Sequence, residues 1–190
     1  MTYRRSRMTR FFRAQDGVAA IEFAAVAPVL LLLIMGIIEF SLIMLASNVL
    51  ESATNLSSRL SKTGFADAGV TREQTIINAV KAQAGSLLDS TKLTISSKYY
   101  QQFDQINDPE PWTDKNSNGT WDAGEPYTDI NGNGKWDADM GVAGYGGPGD
   151  IVVFTVSYPW SIATPIISDL VGTNGAYTIT SHAVVRNEPY

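Results

Sequence analysis

The stretch FAAVAPVLLLLIMGIIEFSLIMLA, residues 23–46, decides the fold of this chain of 190 residues. Every residue in it is apolar or small except Glu39 and Ser41. As a helix that rises 1.5 Å per residue, ~24 residues extend roughly 36 Å, enough to cross a hydrocarbon layer of about 30 Å. The stretch therefore predicts one transmembrane helix.

The charge of the chain is divided unevenly about this helix. Residues 1–17 carry +4, because Asp16 opposes five arginines: Arg4, Arg5, Arg7, Arg10 and Arg13. Since the whole chain has a formal net charge of −5, the remaining residues carry −9. Arginines beside a span mark the cytoplasmic side. We therefore expect a single-pass inner-membrane protein with a cytoplasmic N-terminus and a periplasmic or extracellular C-terminal part. The acidic exported part argues against a nucleic-acid partner.

Glu22 stands directly before the apolar block, and Pro28 and Glu39 lie within it. A carboxylate in lipid costs several kcal/mol unless it is paired, protonated or facing protein. Glu22 and Glu39 have two interpretations: they reach the membrane interface, or they pair inside an assembly, for example with the free α-amino group of a neighbouring subunit. Gly36, one turn before Glu39, would allow a second helix to approach closely. Pro28 is expected to bend the helix, because it removes a backbone hydrogen bond.

Beyond the apolar block, the periodicity predicts an α+β fold. Apolar residues continue at helical spacing, so one long helix is predicted from Val18 to about Ser61, ending at Gly64. The sequence TREQ, residues 71–74, has the form of a capping box and predicts a second helix from about Arg72 to Leu88.

Three later segments alternate apolar and polar residues and predict strands: residues 93–99, 152–158 and 177–183. Pro159 is expected to close the second strand, and Pro165 to precede one further helical turn. Helices followed by strands predict a small antiparallel sheet packed on the emerging long helix. The predicted parts are a leader (1–17), a transmembrane and amphipathic helix (18–63), and an exported domain (64–190) with an insertion at about 104–149.

The insertion contains a pattern typical of the EF-hand calcium loop. The segment DKNSNGTWDAGE, residues 114–125, places oxygen ligands at the required spacing, with a glycine at the turn and a glutamate at the last position. The predicted ligands are the side chains of Asp114, Asn116, Asn118, Asp122 and Glu125 and the backbone carbonyl of Thr120. Ca²⁺ is therefore the expected cofactor. Its expected role is structural, because millimolar calcium outside the cell would stabilise the insertion by mass action.

A second copy of the pattern, DINGNGKWD, begins fifteen residues later at Asp129. Its predicted ligands are Asp129, Asn131, Asn133, Lys135 (through its carbonyl) and Asp137. Met140 stands at the last position and cannot bind calcium, so Asp139 beside it is the candidate substitute. Trp121 and Trp136 occupy the same position in both copies and are expected to pack together or on the domain. The alternative is a flexible Asp/Asn/Gly-rich loop without a metal.

The stretch DGVAAIEF, residues 16–23, resembles the processing site of prepilins of the tight-adherence (Tad) pilus system. In that site a glycine precedes the cleaved bond, and a glutamate followed by an aromatic residue stands five residues after it. The block through GIIEF (36–40) and the end AVVRNEPY (183–190) resemble TadE-like pseudopilins in particular. The resemblance implies that a prepilin peptidase cleaves between Gly17 and Val18. It also implies that Glu22, followed by Phe23, registers the new amino terminus against other pilin helices.

These observations favour a minor pilin-like subunit that takes part in Tad-type pilus assembly or adhesion, with other pilin and pseudopilin subunits as partners of its N-terminal helix. The second hypothesis is an uncleaved, membrane-anchored, calcium-dependent binding or adhesion module that contacts a surface or carbohydrate. An enzyme is not expected. His182 is the single histidine, the chain has no cysteine, and no catalytic triad or phosphate-binding motif occurs.

Overall fold

The first helix, α1, runs from Val18 to Lys62 and continues through Pro28. The structure, a computed structural model, describes residues 17–171 and 175–189, so the predicted leader lies outside the described residues except for Gly17. Thr63 follows the helix as its C-cap, and Gly64 adopts a positive φ of 64°, which ends the helix. The prediction of one long helix is confirmed.

The two halves of α1 have different surroundings. From Val18 to Ile38 every side chain is exposed except Ala27 and Gly36, which are partly covered. The second half presents one buried face to the exported domain: Glu39, Ala46, Leu50, Ala53, Thr54, Ser57 and Ser61. Among the described residues, α1 is the one helix long and apolar enough to cross a membrane.

The second helix, α2, runs from Arg72 to Ala84. Thr71 is its N-cap, and its hydroxyl accepts a hydrogen bond from the Gln74 amide at 3.2 Å. The Gln74 side chain donates to Asn78 at 2.8 Å instead of bonding back to Thr71, so only half of the predicted capping box forms. The helix ends four residues earlier than predicted, because the chain turns at Gly85.

Four antiparallel strands form one sheet in the order β2-β1-β3-β4. The strands are β1 (Thr94–Tyr100), β2 (Val142–Ala143), β3 (Ile151–Ser161) and β4 (Ala176–Arg186). The three predicted strands are confirmed, whereas β2, of two residues, was not predicted. A short helix, α3 (Pro165–Val171), lies between β3 and β4, as predicted after Pro165.

The prediction that Pro159 closes β3 is wrong, since β3 continues to Ser161. The pairing of β1 with β3 ends at Ser157, so beyond that residue β3 has a neighbour only on the side of β4. A proline, which has no backbone N–H, fits at such an open edge.

The core lies between the sheet, α2 and the second half of α1. Its fully buried members include Leu50 on α1, Ile76 and Val80 on α2, and Val152, Phe154 and Val156 on β3. The fold class is therefore α+β, as predicted.

Asn187 links the end of β4 to α1 and to residues 141–149, a glycine-rich segment with the sequence GVAGYGGPG. Its side-chain amide donates to the carbonyls of Tyr145 (3.1 Å) and Gly147 (3.0 Å), and its Oδ1 accepts from the Ser61 hydroxyl at 2.8 Å. Arg72 donates to the same Tyr145 carbonyl at 2.7 Å and to Ser61 at 3.1 Å. Asn187 is 2% exposed, so these bonds are shielded from water.

Replacing Asn187 with alanine is expected to lower the free energy of unfolding by about 1–3 kcal/mol, because buried carbonyls and a hydroxyl lose their partner. Urea denaturation of the detergent-solubilised protein measures the change. Asn78→Ala, an exposed helix position, is the matched control and should shift it by no more than about 0.5 kcal/mol. Equal effects of the two variants would contradict this role for Asn187.

Candidate functional site

Each loop of the insertion is wound around an aspartate. Asp114 accepts from the backbone amides of Ser117 at 2.6 Å and Gly119 at 2.8 Å. The second loop makes the same bonds at 2.7 and 2.8 Å, from Gly132 and Gly134 to Asp129. The bond from the Gly119 amide, followed by those from Ser117 and its neighbours, lowers the pKa of Asp114. The carboxylate of Asp114 is thereby held in its ionised form.

The two loops share one backbone conformation. The fourth position has a φ of 60° at Ser117 and 75° at Gly132, and the sixth has 77° at both Gly119 and Gly134. These values lie in the left-handed region, which favours glycine. The second loop has glycine at the fourth position, and Ser117 adopts the same left-handed conformation at that position of the first loop. The predicted internal duplication therefore extends to the backbone.

Two asparagine amides meet one carboxylate oxygen at the centre of each loop. In the first loop, Asn116 and Asn118 donate to Asp122 Oδ2 at 2.6 and 2.8 Å. In the second loop the corresponding bonds, at 2.7 and 2.5 Å, run from Asn131 and Asn133 to Asp137. These two bonds lower the pKa of Asp137. The positive ends of the amide groups thus lie against the negative charge.

The remaining predicted positions are Thr120 and Lys135, whose backbone amides donate to Asn118 and Asn133, both at 2.8 Å. These bonds hold the two residues directly after the turn, at the position from which an EF-hand loop offers a carbonyl.

A glutamate closes the first loop from its last position. Glu125 accepts from the Lys115 amide at 2.9 Å through Oε1 and from the Asp122 amide at 3.1 Å through Oε2. It is 8% exposed. The Glu125 carboxylate therefore links the backbone amides of Lys115 and Asp122, the second and ninth residues of the loop.

The second loop is closed by Glu110, a residue that the sequence analysis missed. Glu110 is fully buried; its Oε1 accepts from the amides of Ile130 (2.8 Å) and Asn131 (3.2 Å), and its Oε2 from that of Asp137 (3.2 Å). Asp139, the predicted substitute, bonds elsewhere: it accepts from Lys98 Nζ at 2.6 Å and from the Tyr100 hydroxyl at 2.9 Å. Glu110, not Asp139, is the equivalent of Glu125.

The sequence does carry the signal for Glu110. The segments EPWTD (110–114) and EPYTD (125–129) show that each repeat begins four residues before its first aspartate. Counted in this way, Glu110 and Glu125 are equivalent residues of the two repeats. Glu125 begins the second repeat and closes the loop of the first, and Glu110 begins the first repeat and closes the loop of the second, so the two repeats exchange their closing carboxylates.

The exchange gives the insertion an approximate two-fold arrangement. The Thr113 amide donates to the Pro126 carbonyl, and the Thr128 amide to the Pro111 carbonyl, both at 2.8 Å. The indoles of Trp121 and Trp136 stack with a centroid distance of 4.8 Å, which confirms that the tryptophans pack together. Their Nε1 atoms donate to the carbonyls of Glu125 (3.4 Å) and Glu110 (2.9 Å), respectively.

The oxygen atoms of each loop are hard donors of the kind that calcium prefers, but they belong partly to carboxylates and partly to asparagine amides. No group of three or more carboxylate or imidazole side chains placed to hold a metal occurs in residues 17–171 and 175–189. A cation would therefore need the asparagine oxygens as well. To supply them, the amides that now donate to Asp122 and Asp137 would have to rotate and turn their oxygens inward.

Tyr100 links the insertion to β1 through Asp139. Burial, followed by the hydrogen bond to Asp139, raises the pKa of Tyr100 from 10.0 to about 12. Burial alone would raise the pKa of Asp139, but the bonds from Lys98, the Gly141 amide and Tyr100 lower it overall. The phenol is thus stabilised in its protonated form and the carboxyl in its ionised form.

This linkage predicts a pH dependence of stability. The raised pKa of Tyr100 contributes stability that is complete below pH 10 and is lost as the pH rises towards 12. In Tyr100→Phe the free energy of unfolding should therefore fall less steeply between pH 10 and 12 than in the wild type. Denaturation at several pH values measures the slope. Tyr177→Phe, at an exposed position, should keep the wild-type slope; an unchanged slope in Tyr100→Phe would contradict the linkage.

The four predicted processing residues lie at the uncovered start of α1. Gly17 is the N-cap, Val18 is the first helical residue, and Glu22 and Phe23 follow on the first turns. All four are exposed. The bond between Gly17 and Val18 thus coincides with the helix boundary, where the Gly17 carbonyl accepts from the Ile21 amide at 3.1 Å.

Glu39 has its partners within the same chain. The Trp160 indole donates to its Oε1 at 2.9 Å, and the Ala163 amide to its Oε2 at 3.2 Å. Glu39 is 5% exposed and both of its oxygens accept hydrogen bonds within the chain, so it does not need a neighbouring subunit's amino group. Gly36, one turn earlier, faces Ile167 of α3, at 3.6 Å from the place of a Cβ atom. The close approach expected at Gly36 is therefore made by the chain's own α3.

The lone His182 lies on β4, where its Nδ1 is 3.0 Å from the Thr155 hydroxyl. This pair is exposed. It lies on the sheet, away from the residues of the two loops.

A family model described as TadE-like protein matches residues 17–59. The match begins at the N-cap of α1 and ends inside that helix, so it covers neither the sheet nor the insertion. It fits a chain of the Tad pilus system with a single membrane-spanning helix. No match was found among curated proteins or among solved structures.

Proposed function

We propose that this protein is a minor pilin-like subunit that takes part in Tad-type pilus assembly or adhesion. The observation that carries the proposal is the division of α1. Its first half, Val18–Ile38, is bare and apolar, whereas its second half holds a folded domain. A helix of this kind is suited first to lie in a bilayer and then to pack against other pilin helices. The match to TadE-like protein over the same helix supports this role.

The orientation follows from charge. The arginines before Gly17 stay in the cytoplasm, so the sheet and the insertion lie on the periplasmic or extracellular side of the inner membrane. The prepilin peptidase cleaves between Gly17 and Val18, which leaves α1 with a free amino group at its first residue. Glu22, exposed one turn later, pairs with the new amino terminus of a neighbouring pilin or pseudopilin subunit.

Glu22→Ala is expected to insert into the membrane normally but to reduce pilus assembly strongly, because the register between neighbouring helices is lost. Electron microscopy of surface pili measures the effect. Glu51→Ala, which removes an exposed carboxylate from the same helix beyond its bare half, should leave piliation unchanged. Normal piliation in Glu22→Ala would count against the role of this residue.

Mass spectrometry of the membrane-extracted protein separates this function from the second candidate, an uncleaved anchored binding module. A mature protein that begins at Val18 supports the pilin-like subunit. An intact leader contradicts it and favours the anchored module, for which the half-buried aromatic cluster of Trp112, Trp121, Tyr127 and Trp136 is the natural contact surface.

We further propose that both loops bind Ca²⁺ and that the ion stabilises the exported domain. The supporting observation is the repeated arrangement of oxygens: an aspartate held by turn amides, two asparagines, a second aspartate and a buried glutamate. Thr120 and Lys135 supply carbonyls. Because the chain contains no cysteine, bound ions would cross-link the insertion where disulfides cannot.

Calcium at about 100 times its dissociation constant stabilises a site by roughly 2.7 kcal/mol. For a domain of this size that corresponds to a rise of the melting temperature by about 5–10 °C over the protein in chelator. Tryptophan fluorescence of the full chain in detergent measures the melting. No difference between calcium and chelator would refute the metal proposal.

Calorimetric titration tests the exchange of carboxylates. The wild type is expected to bind two ions, and Glu125→Gln and Glu110→Gln one each, because each variant loses a different closing ligand. Asp139→Asn is the matched control and should still bind two. One site in Asp139→Asn together with two in Glu110→Gln would instead assign the second loop to Asp139.

A further inference from the structure

The sheet and α1 run side by side between two fixed ends. At one end the Glu188 amide donates to the Lys62 carbonyl at 3.0 Å, and at the other the Trp160 indole donates to Glu39 at 2.9 Å. From Glu39 to Lys62 a helix rises about 35 Å, and an eleven-residue strand such as β3 extends roughly 36 Å. The connection between β3 and β4 therefore lies at the level of Glu39, at the end of the domain closest to the bare half of α1.

The bare half of α1 has the length of one membrane. Val18–Ile38 extends about 31 Å as a helix, and the hydrocarbon core of a bilayer is about 30 Å thick. If this half fills the bilayer, the outer boundary of the hydrocarbon lies at Glu39 and not at Ala46, the last residue of the apolar stretch. The tip of the β3–β4 hairpin then reaches the membrane surface.

The composition of the two ends of the sheet differs accordingly. The far end carries Lys62, Asp150, Arg186 and Glu188. Between Ser161 and Tyr177 the single charged residue is Asp169.

Pro165 and Ile166 of α3 are exposed, with Ile166 at 56%, and Tyr177 is 42% exposed. An exposed isoleucine in a connection that Trp160 and Tyr177 flank matches the pattern of the membrane interface.

We propose that the tip formed by Trp160–Asp169 and Tyr177 is a membrane-contacting surface that lies in the outer leaflet of the bilayer around α1. The tip extends the apolar surface of α1 without a gap, because Ile167 packs on Gly36. Its bonds to Glu39 satisfy both oxygens of that carboxylate where it would otherwise meet lipid. Glu39 thus fixes the depth at which the domain sits. The inference rests on the membrane-spanning role proposed for α1.

The absence of cysteine allows a direct test in the full chain. Single cysteines carrying the fluorophore NBD are placed at Ile166, at Leu31 in the bare half of α1, and at Ala68, an exposed position near the far end of the domain. Each protein is reconstituted at one copy per nanodisc, so that no second copy can cover the tip. Emission wavelength and quenching by lipids with shallow or deep nitroxides are measured.

Ile166→Cys is expected to show blue-shifted emission and quenching by shallow nitroxides severalfold above that of Ala68→Cys. Leu31→Cys should be quenched best by deep nitroxides. Lipid quenching at Leu31 together with emission at Ile166 equal to that at Ala68 would overturn the membrane-contacting tip alone. A water-exposed Leu31 would overturn the membrane-spanning role as well. Tyr177→Cys repeats the measurement on the same tip should Ile166→Cys not fold.

Discussion

The structure depends on the way in which one carboxylate is accommodated in an apolar helix. Glu39 stands in a run that lipid would otherwise surround, and desolvating its charge without partners costs several kcal/mol. The indole of Trp160 and the amide of Ala163 supply hydrogen bonds to both of its oxygens. These bonds bring the end of β3 down to α1, and the pairing of β3 with β1 and β4 places the rest of the sheet. The position of Glu39 therefore decides where α1 stops being a bare helix and becomes part of a domain.

A second constraint is that the insertion has few apolar residues with which to fold. Its buried groups are largely polar, with Glu110 and Glu125 among the least exposed. Both are satisfied by backbone amides of the loops, which is the condition under which buried carboxylates are tolerated. The stacked indoles of Trp121 and Trp136 supply the apolar contact between the repeats. Polar closure and aromatic stacking together take the place of a conventional core.

Much of the fold could be predicted from the sequence, because the spacing of apolar residues in a long segment shows whether it is a helix or a strand and which face is buried. The helix from Val18, the three main strands and the turn after Pro165 each have a pattern that is independent of distant residues. β2 could not be predicted, because a strand of two residues is too short to show a periodicity. Its residues are recognised as a strand only through their pairing with β1. The partners of Glu39 were also out of reach, because Trp160 lies far along the chain. Glu110 was missed for a different reason. The calcium-loop pattern begins at its first aspartate, whereas the recurrence of Glu-Pro-x-Thr-Asp places the start of each repeat four residues earlier.

Glu110 and Glu125 join the two repeats of the insertion, because each begins one repeat and closes the loop of the other. The first loop ends in its own closing glutamate, Glu125, but the second loop is complete only when Glu110 of the first repeat is in place. Two bonds, from the Thr113 amide to the Pro126 carbonyl and from the Thr128 amide to the Pro111 carbonyl, join the segments that directly follow the two glutamates. The second loop therefore depends on the first repeat for its closing carboxylate. The insertion is in turn attached to the sheet, because Asp139 bonds to Lys98 and Tyr100 of β1. The same sheet is thus bonded to the insertion through β1 and to Glu39 of α1 through Trp160 of β3.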